Sequence, residues 1–216
     1  MTIKTLICGR RRLGQTLREH RTHMKDHHGK LVRDYIAREP SQAPRRYVQN
    51  HAFDGIYFGG DALPKAFSYG LDFVTEVWFP DMAAAKSSRE TPFYLEHLQP
   101  DEPRMVDETS VVGLPVTENI ILPPDMRAKA VKVFLFWFNK APDAQRLADI
   151  GHGIIGHCRN LPLSAGPVEA IDEFWLPDEA TGLAFAQACR EAAQAGLASD
   201  TRYCLAVAHE HVLHAG

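Results

Sequence analysis

Two short segments of the chain alternate polar and bulky side chains in a way that could support proton transfer. Tyr47, Gln49 and His51 alternate along the first, and Val74, Glu76 and Trp78 along the second. In extended backbone, residues two apart share a face, so each trio is expected on one side of a strand. A carboxyl group held beside a tryptophan in a poorly solvated space has its pKa raised toward the range where it can act as a general acid or base. Glu76 with Trp78 meets that description, and Glu173 with Trp175 supplies a second such pair. The competing reading makes both glutamates structural, bonding across a core or holding an arginine. His51 can move a proton near neutrality, with Tyr47 polarising an oxygen of the ligand. It equally suits a buried, hydrogen-bonded core position.

His20, His23 and His27 fall at i, i+3 and i+7, which is one face of a helix. Three imidazoles in a stripe could hold a metal, but no carboxylate stands at HExxH spacing. The stripe then reads as a polar outer face, and no metal is assigned. His209 and His211 alternate near the end of the chain, an exposed edge with His214 after it. Cys8 has no base near it in sequence and reads as core. The run Arg10 to Arg12 reads as a solvated edge or, less simply, a phosphate contact. Residues Tyr57 to Tyr69, with Phe58, Phe67, Gly59 and Gly60, read as a long aromatic loop. It could cap an apolar ligand, cover core or mediate pairing.

The elements that must position these residues come from an internal repeat. Val74-Thr-Glu-Val-Trp-Phe-Pro-Asp81 reads against Ile171-Asp-Glu-Phe-Trp-Leu-Pro-Asp178, with Glu, Trp, Pro and Asp in the same places. An opening strand at Ile3 to Arg10 matches Val131 to Phe138, and His28-Gly29 matches His152-Gly153. Closing strands are expected at Val111 to Ile121 and Cys204 to Leu213. Thr16-Leu-Arg-Glu19 is a capping box that starts the first helix, and Pro40 ends it. Asp81 and Asp178 stand where helix N-caps belong. The alanine-rich stretch 182 to 197 reads as helix. The second copy is expected to have lost most of its second strand, because Arg159-Asn-Leu-Pro-Leu is short and carries a proline.

Each copy is then β-α-β-β-α-β, a ferredoxin-like arrangement. The expected fold is α+β: two fused ferredoxin-like halves whose antiparallel sheets pack into a dimeric α/β-barrel-like core. Residues 1–122 form the first copy, 123–129 a linker and 130–216 the diverged second copy. A four-stranded sheet covered by helices on one face must bury the other. Tyr47, Gln49, His51, Glu76 and Trp78 are all expected on faces that look into the space between the sheets.

Leu6-Ile-Cys-Gly-Arg-Arg-Arg-Leu-Gly14, Thr16-Leu-Arg-Glu-His20, His27-His-Gly-Lys-Leu-Val32, Arg45-Arg-Tyr-Val-Gln-Asn-His51 and Glu76-Val-Trp-Phe79 together resemble the EthD-like family of the dimeric α/β-barrel superfamily. Lys30 stands where that family often has proline, and the second copy keeps only His152-Gly153 and Glu173-Phe-Trp175 of the pattern. The resemblance implies a His-rich turn at the mouth of a pocket. That adds His28 as a proton shuttle and His27 as a neighbour of the ligand, although His28 could also simply bond a backbone carbonyl at a helix end. The catalytic candidates are thus His28, His51, Glu76 and Tyr47. The binding candidates are Trp78, Gln49, His27, Glu173 and Trp175.

The family's lyases and isomerases of aromatic and polyketide metabolism imply a cofactor-independent acid/base reaction on a hydrophobic small molecule. The alternatives are a non-catalytic binding or accessory protein of a degradation pathway, and an oxygenase of the α/β-barrel type. The bulk numbers exclude other classes. A net charge of −3 over 216 residues provides no basic field for nucleic acid. No run is long enough to span a membrane. Four cysteines without CxxC spacing suit a reducing, cytoplasmic setting. There is no GxGxxG, P-loop or GxSxG motif, so no cofactor is expected. A homodimer of the fused chain is left open.

Overall fold

A computed structural model describes residues 2–59, 63–125, 130–151, 153–197 and 202–216. It is an α+β fold whose eight strands are hydrogen-bonded in the order β1-β3-β2-β8-β5-β7-β6-β4, an antiparallel ladder that closes into a barrel. The chain divides into two compact units. One comprises residues 1–51, 71–115 and 211–216, the other residues 52–70 and 116–210.

In the first unit, β1 (Ile3–Gly9) leads to α1 (Leu17–Thr22), which opens on the capping box. Thr16 accepts from the Glu19 N–H, and the Glu19 carboxylate accepts from the Thr16 N–H. The helix does not end at the His-rich stretch. His23–His28 form a π-helical turn and α2 (Gly29–Arg38) continues beyond it. The Gly29 N–H closes that turn on the Met24 carbonyl, which also accepts from the Gln49 amide at 2.7 Å. β2 (Arg46–Gly59) and β3 (Phe73–Phe79) follow, with β3 pairing antiparallel to both β1 and β2. The Asp81 side chain caps α3 (Met82–Ser87), and a second π turn at Tyr94–Leu98 precedes α4 (Glu102–Met105) and β4 (Val112–Leu122). Helix and strand meet through Val32, Tyr35, Tyr47, Val77, Phe79 and Phe93.

In the second unit, β5 (Val131–Trp137) lies between β7 (Ala170–Leu176) and β8 (Tyr203–His214). α5 (Ala144–Ala148) is short, whereas α6 (Glu179–Ala192), capped by Asp178, buries Phe185, Ala186 and Cys189 against β5 and its neighbours. Gly182 permits that approach, since a Cβ there would lie 2.7 Å from Val131 Cγ1.

Two expectations need correction. The second strand of the second copy is present as β6 (Gly156–Pro162), paired with β7 and β4. Its proline is the last residue, where a missing N–H costs the ladder little. The stretch 57–69 is not all loop either, because β2 runs on through Gly59 and Phe67 is buried against Phe136 and Phe138. His152 and residues 126–129 of the expected linker lie outside the described residues.

Candidate active site

Strand register decides which side chains share a face. Tyr47 lies opposite Val77 and Gln49 opposite Thr75, whereas Arg46 faces Trp78, Val48 faces Glu76 and Asn50 faces Val74. Directly opposed residues project to the same side. Tyr47, Gln49 and His51 therefore share a face with Thr75, Val77 and Phe79, and Glu76 and Trp78 lie on the other. The expectation that all five looked into one space is corrected here. Period two sorts each strand correctly but leaves unspecified which face of one strand matches which face of the next.

The face carrying Tyr47 borders a cavity of about 470 Å³ between the sheet and the helices of the first unit. Ile7, Met24, Val32, Phe73, Val77 and Leu98 supply apolar wall, and His28 and Tyr47 contribute polar groups. His28 Nδ1 lies 3.0 Å from Asp101 Oδ2. A carboxylate partner fixes the proton on Nδ1, so Nε2 is left as the basic nitrogen. Asp101 itself is 2% exposed. Burial alone would raise its pKa, but hydrogen bonds from His28 and His23 outweigh burial and hold it below the ordinary aspartate value.

Tyr47 accepts a hydrogen bond from the Gln49 amide, and burial pushes its hydroxyl pKa upward, so it stays protonated and able to donate. At another part of the wall the Tyr94 hydroxyl donates to Glu102, which also meets the Arg89 guanidinium at 3.4 Å. Tyr35 donates to the Ser88 carbonyl at 2.8 Å.

Of the expected residues, the cavity collects His28 and Tyr47. Gln49 stands behind Tyr47, tying it to the Met24 carbonyl. His51 is 4% exposed, bonded to Gln49 Oε1 at 3.1 Å and packed on His211, and does not line the cavity. Burial, reinforced by His211, pushes its pKa down to about 3. His27 is largely exposed and meets Asp101 at 3.3 Å.

Glu76 is fully buried, 2.6 Å from Lys4 Nζ and 2.8 Å from the Asn50 amide, with the Lys4 ammonium 5.0 Å from the Trp78 ring centroid. Glu173 has the same set in the other unit: Lys132 at 2.6 Å, Asn160 at 3.3 Å, and Lys132 at 4.5 Å from the Trp175 ring. The repeated signal is thus a Lys-Glu-Asn-Trp cluster away from the cavity. Lys4, Asn50, Lys132 and Asn160 were its unnoticed half.

Asp101 was also missed. It lies 73 residues beyond His28, and its only local signal is the tight Pro100-Asp-Glu-Pro103 sequence. His20, placed in the histidine stripe by sequence, instead turns inward, is fully buried and sets Nδ1 3.0 Å from the Met105 carbonyl. Among the described residues no helix is long and apolar enough to cross a membrane.

Solved structures with a similar fold include an anthrone oxidase-like protein at 11% identity (TM-score 0.56, 98% of this chain and 93% of that one). A Fusobacterium nucleatum protein with a provisional monooxygenase assignment is 8% identical (TM-score 0.55, 98% and 92%). One from Lactobacillus acidophilus with the same provisional assignment is 7% identical (TM-score 0.52, 97% and 93%). At such identities the likeness is one of fold. No curated protein matches the chain. The EthD domain model matches residues 12–109, which contain both the Arg45-to-His51 and Glu76-to-Phe79 motifs, the cavity's His28 and Tyr47, and Asp101 behind His28. Over that stretch, a little under half of its length, the chain is similar to the EthD domain.

Proposed function

We propose that the first-unit cavity binds a small hydrophobic, aromatic or polyketide-like molecule and that His28 acts on it as a general base. The observation that carries this reading is the pairing of His28 with a buried carboxylate beside the apolar part of the cavity wall. The volume falls within the ~300–1,000 Å³ of small-molecule sites. A ligand oxygen would accept from the Tyr47 hydroxyl while His28 Nε2 takes a proton from an acidic C–H or O–H. The charge left on the ligand would be stabilised by that hydrogen bond. Loss of a leaving group, or return of the proton at another carbon, then gives the lyase or isomerase outcome without a cofactor.

A second reading is favoured by the assignments of the fold relatives. The same deprotonated ligand could pass electrons to dioxygen, with a CH₂ group becoming C=O and the second oxygen atom leaving as water. Glu76, Glu173 and their tryptophans belong in either case to framework, and His51 supports Gln49. We also read residues 1–122 and 130–216 as two ferredoxin-like copies joined by 123–129, since each runs strand, helix, strand, strand, helix, strand.

The test is to soak and titrate the protein with phenols, lactones and polycyclic ketones, using wild type and Val77→Trp, which fills the cavity from its sheet side. Saturable binding in the wild type that the tryptophan abolishes supports the site. Oxygen uptake during turnover selects the oxygenase reading over the lyase or isomerase. Binding unchanged by the tryptophan would remove the cavity from the argument.

A further inference from the structure

We propose that His23, His27 and Asp101 form a binding site for one divalent transition-metal ion, on the far side of Asp101 from the cavity. His23 Nε2 and His27 Nε2 lie 2.9 and 3.3 Å from the same oxygen, Asp101 Oδ1. The three donor atoms all fall within 4.8 Å of one another. An ion about 2.0–2.2 Å from imidazole nitrogen and carboxylate oxygen holds its ligands about this far apart, and the exposed His27 ring can rotate inward to complete the set.

The π turn explains why these residues converge. An i→i+5 turn brings residues four and five positions on above the first, so His27 and His28 both rise over His23 toward Asp101. His28 takes the other carboxylate oxygen, Oδ2, and thus orients Asp101 without being a ligand. Such an outer partner is a usual companion of a metal-bound carboxylate. The hydrogen bond from His23 and the 3.3 Å contact from His27 to Oδ1 would be exchanged for metal bonds, the two imidazoles binding as neutral rings protonated on Nδ1.

Two imidazoles and one carboxylate on one side of an ion, with the remaining positions open, suit zinc, iron, cobalt or nickel rather than magnesium or calcium, which prefer oxygen ligands. The openness follows from His27, whose side chain is 55% exposed. The adjoining surface depression carries Arg12, Arg18 and Arg104 beside Glu19 and Asp26. Those arginines oppose a bare cation and favour water-derived hydroxide or a small anion on its open face. The site shares Asp101 with the proposed base but does not depend on the cavity chemistry.

The experiment is to strip the full-length protein with chelator and add Co(II), following visible absorption, with Zn(II) calorimetry for stoichiometry. One ion per chain is expected, with imidazole-type Co(II) bands. His23→Ala and His27→Ala are each expected to lose the stoichiometric ion, while His28→Ala keeps one ion per chain at an affinity lowered about 10–100-fold and His20→Ala leaves affinity and stoichiometry unchanged. Absence of a stoichiometric ion in wild type overturns the proposal. So does binding that survives loss of both His23 and His27, which would place the ion elsewhere, for instance at the His-rich end of β8. Because His28→Ala removes the proposed base and keeps the ion, failure of the metal site and failure of the cavity reading remain separate results.

Discussion

His28 and Asp101 are joined by a 3.0 Å hydrogen bond between Nδ1 and Oδ2, although they come from segments far apart in the chain. The aspartate is almost wholly buried and the histidine borders the cavity. In the proposed reaction such a carboxylate–imidazole dyad would fix the tautomer, orient the ring and stabilise the imidazolium formed on proton transfer.

His28→Ala is therefore expected to lower turnover of the cavity ligand by about 10²–10⁴-fold with little change in ligand affinity. Asp101→Asn should also lower turnover, because an amide can hold the ring with the wrong nitrogen protonated. Steady-state kinetics with separate binding titrations check both. Wild-type turnover in the His28→Ala protein would end the general-base role.

Acid should unfold the protein in two overlapping stages, each with a worked sign. His51 and His20 have folded-state pKa values pushed below the ordinary 6.5, His51 to about 3, chiefly by burial. The unfolded chain then binds protons that the folded one refuses, so stability falls as pH drops from about 6.5 toward 3. Asp101 and Asp172 have pKa values held below the ordinary 3.8 by their hydrogen-bond partners, against burial. Their contribution is present above about pH 4 and is lost as pH falls through the lowered values. Urea unfolding at a series of pH values should show the decline already between pH 6.5 and 4.5. His51→Asn should make it shallower by about one proton. An unchanged slope in that variant would contradict the assignment to His51.

Glu76 should matter for stability before it matters for activity. Its partner Lys4 is fully buried at 2.6 Å, and removing one member of a buried ion pair costs about 3–5 kcal/mol. Glu76→Leu is expected to lose stability on that scale, and Lys4→Met added to it should recover most of the loss. Turnover per folded molecule should stay near wild type in the double variant. A collapse of turnover in a stably folded double variant would restore Glu76 to the chemistry.

Much of this architecture is legible in local signals. The capping box at Thr16, the caps at Asp81 and Asp178, and the repeated EVWFPD-type strands act over a few residues, and the structure bears them out. The proline at 162 misled because its effect depends on being last in the strand. The site was legible in part. His28 and Tyr47 stand where the cavity is, but Glu76 and Trp78 were assigned to their face without knowledge of how β2 and β3 pair. A one-residue difference in register exchanges the faces completely. Asp101 could not be found, since nothing near it in sequence marks a partner in the first helix. The π turn that precedes Gly29 shares its Met24 carbonyl with a tertiary partner, the Gln49 amide, which lies outside the local sequence.

Tyr47 offers the sharpest separation between positioning a ligand and supporting the fold. Its hydroxyl accepts from Gln49, while Gln49 keeps its own bonds to the Met24 carbonyl and to His51. Tyr47→Phe removes one hydrogen bond from a network that otherwise remains, a cost of about 1 kcal/mol. If the hydroxyl donates to a ligand oxygen that gains charge during the reaction, kcat should fall by about 10²-fold, well beyond what the stability change implies. Burial raises the Tyr47 pKa above its ordinary value of 10, so the pH profile of turnover between 5 and 9 should keep its shape in this variant and only drop in height. A lowered melting temperature with unchanged kcat would make Tyr47 part of the support for Gln49 alone, and would leave His28 as the sole polar group acting on the ligand from this wall.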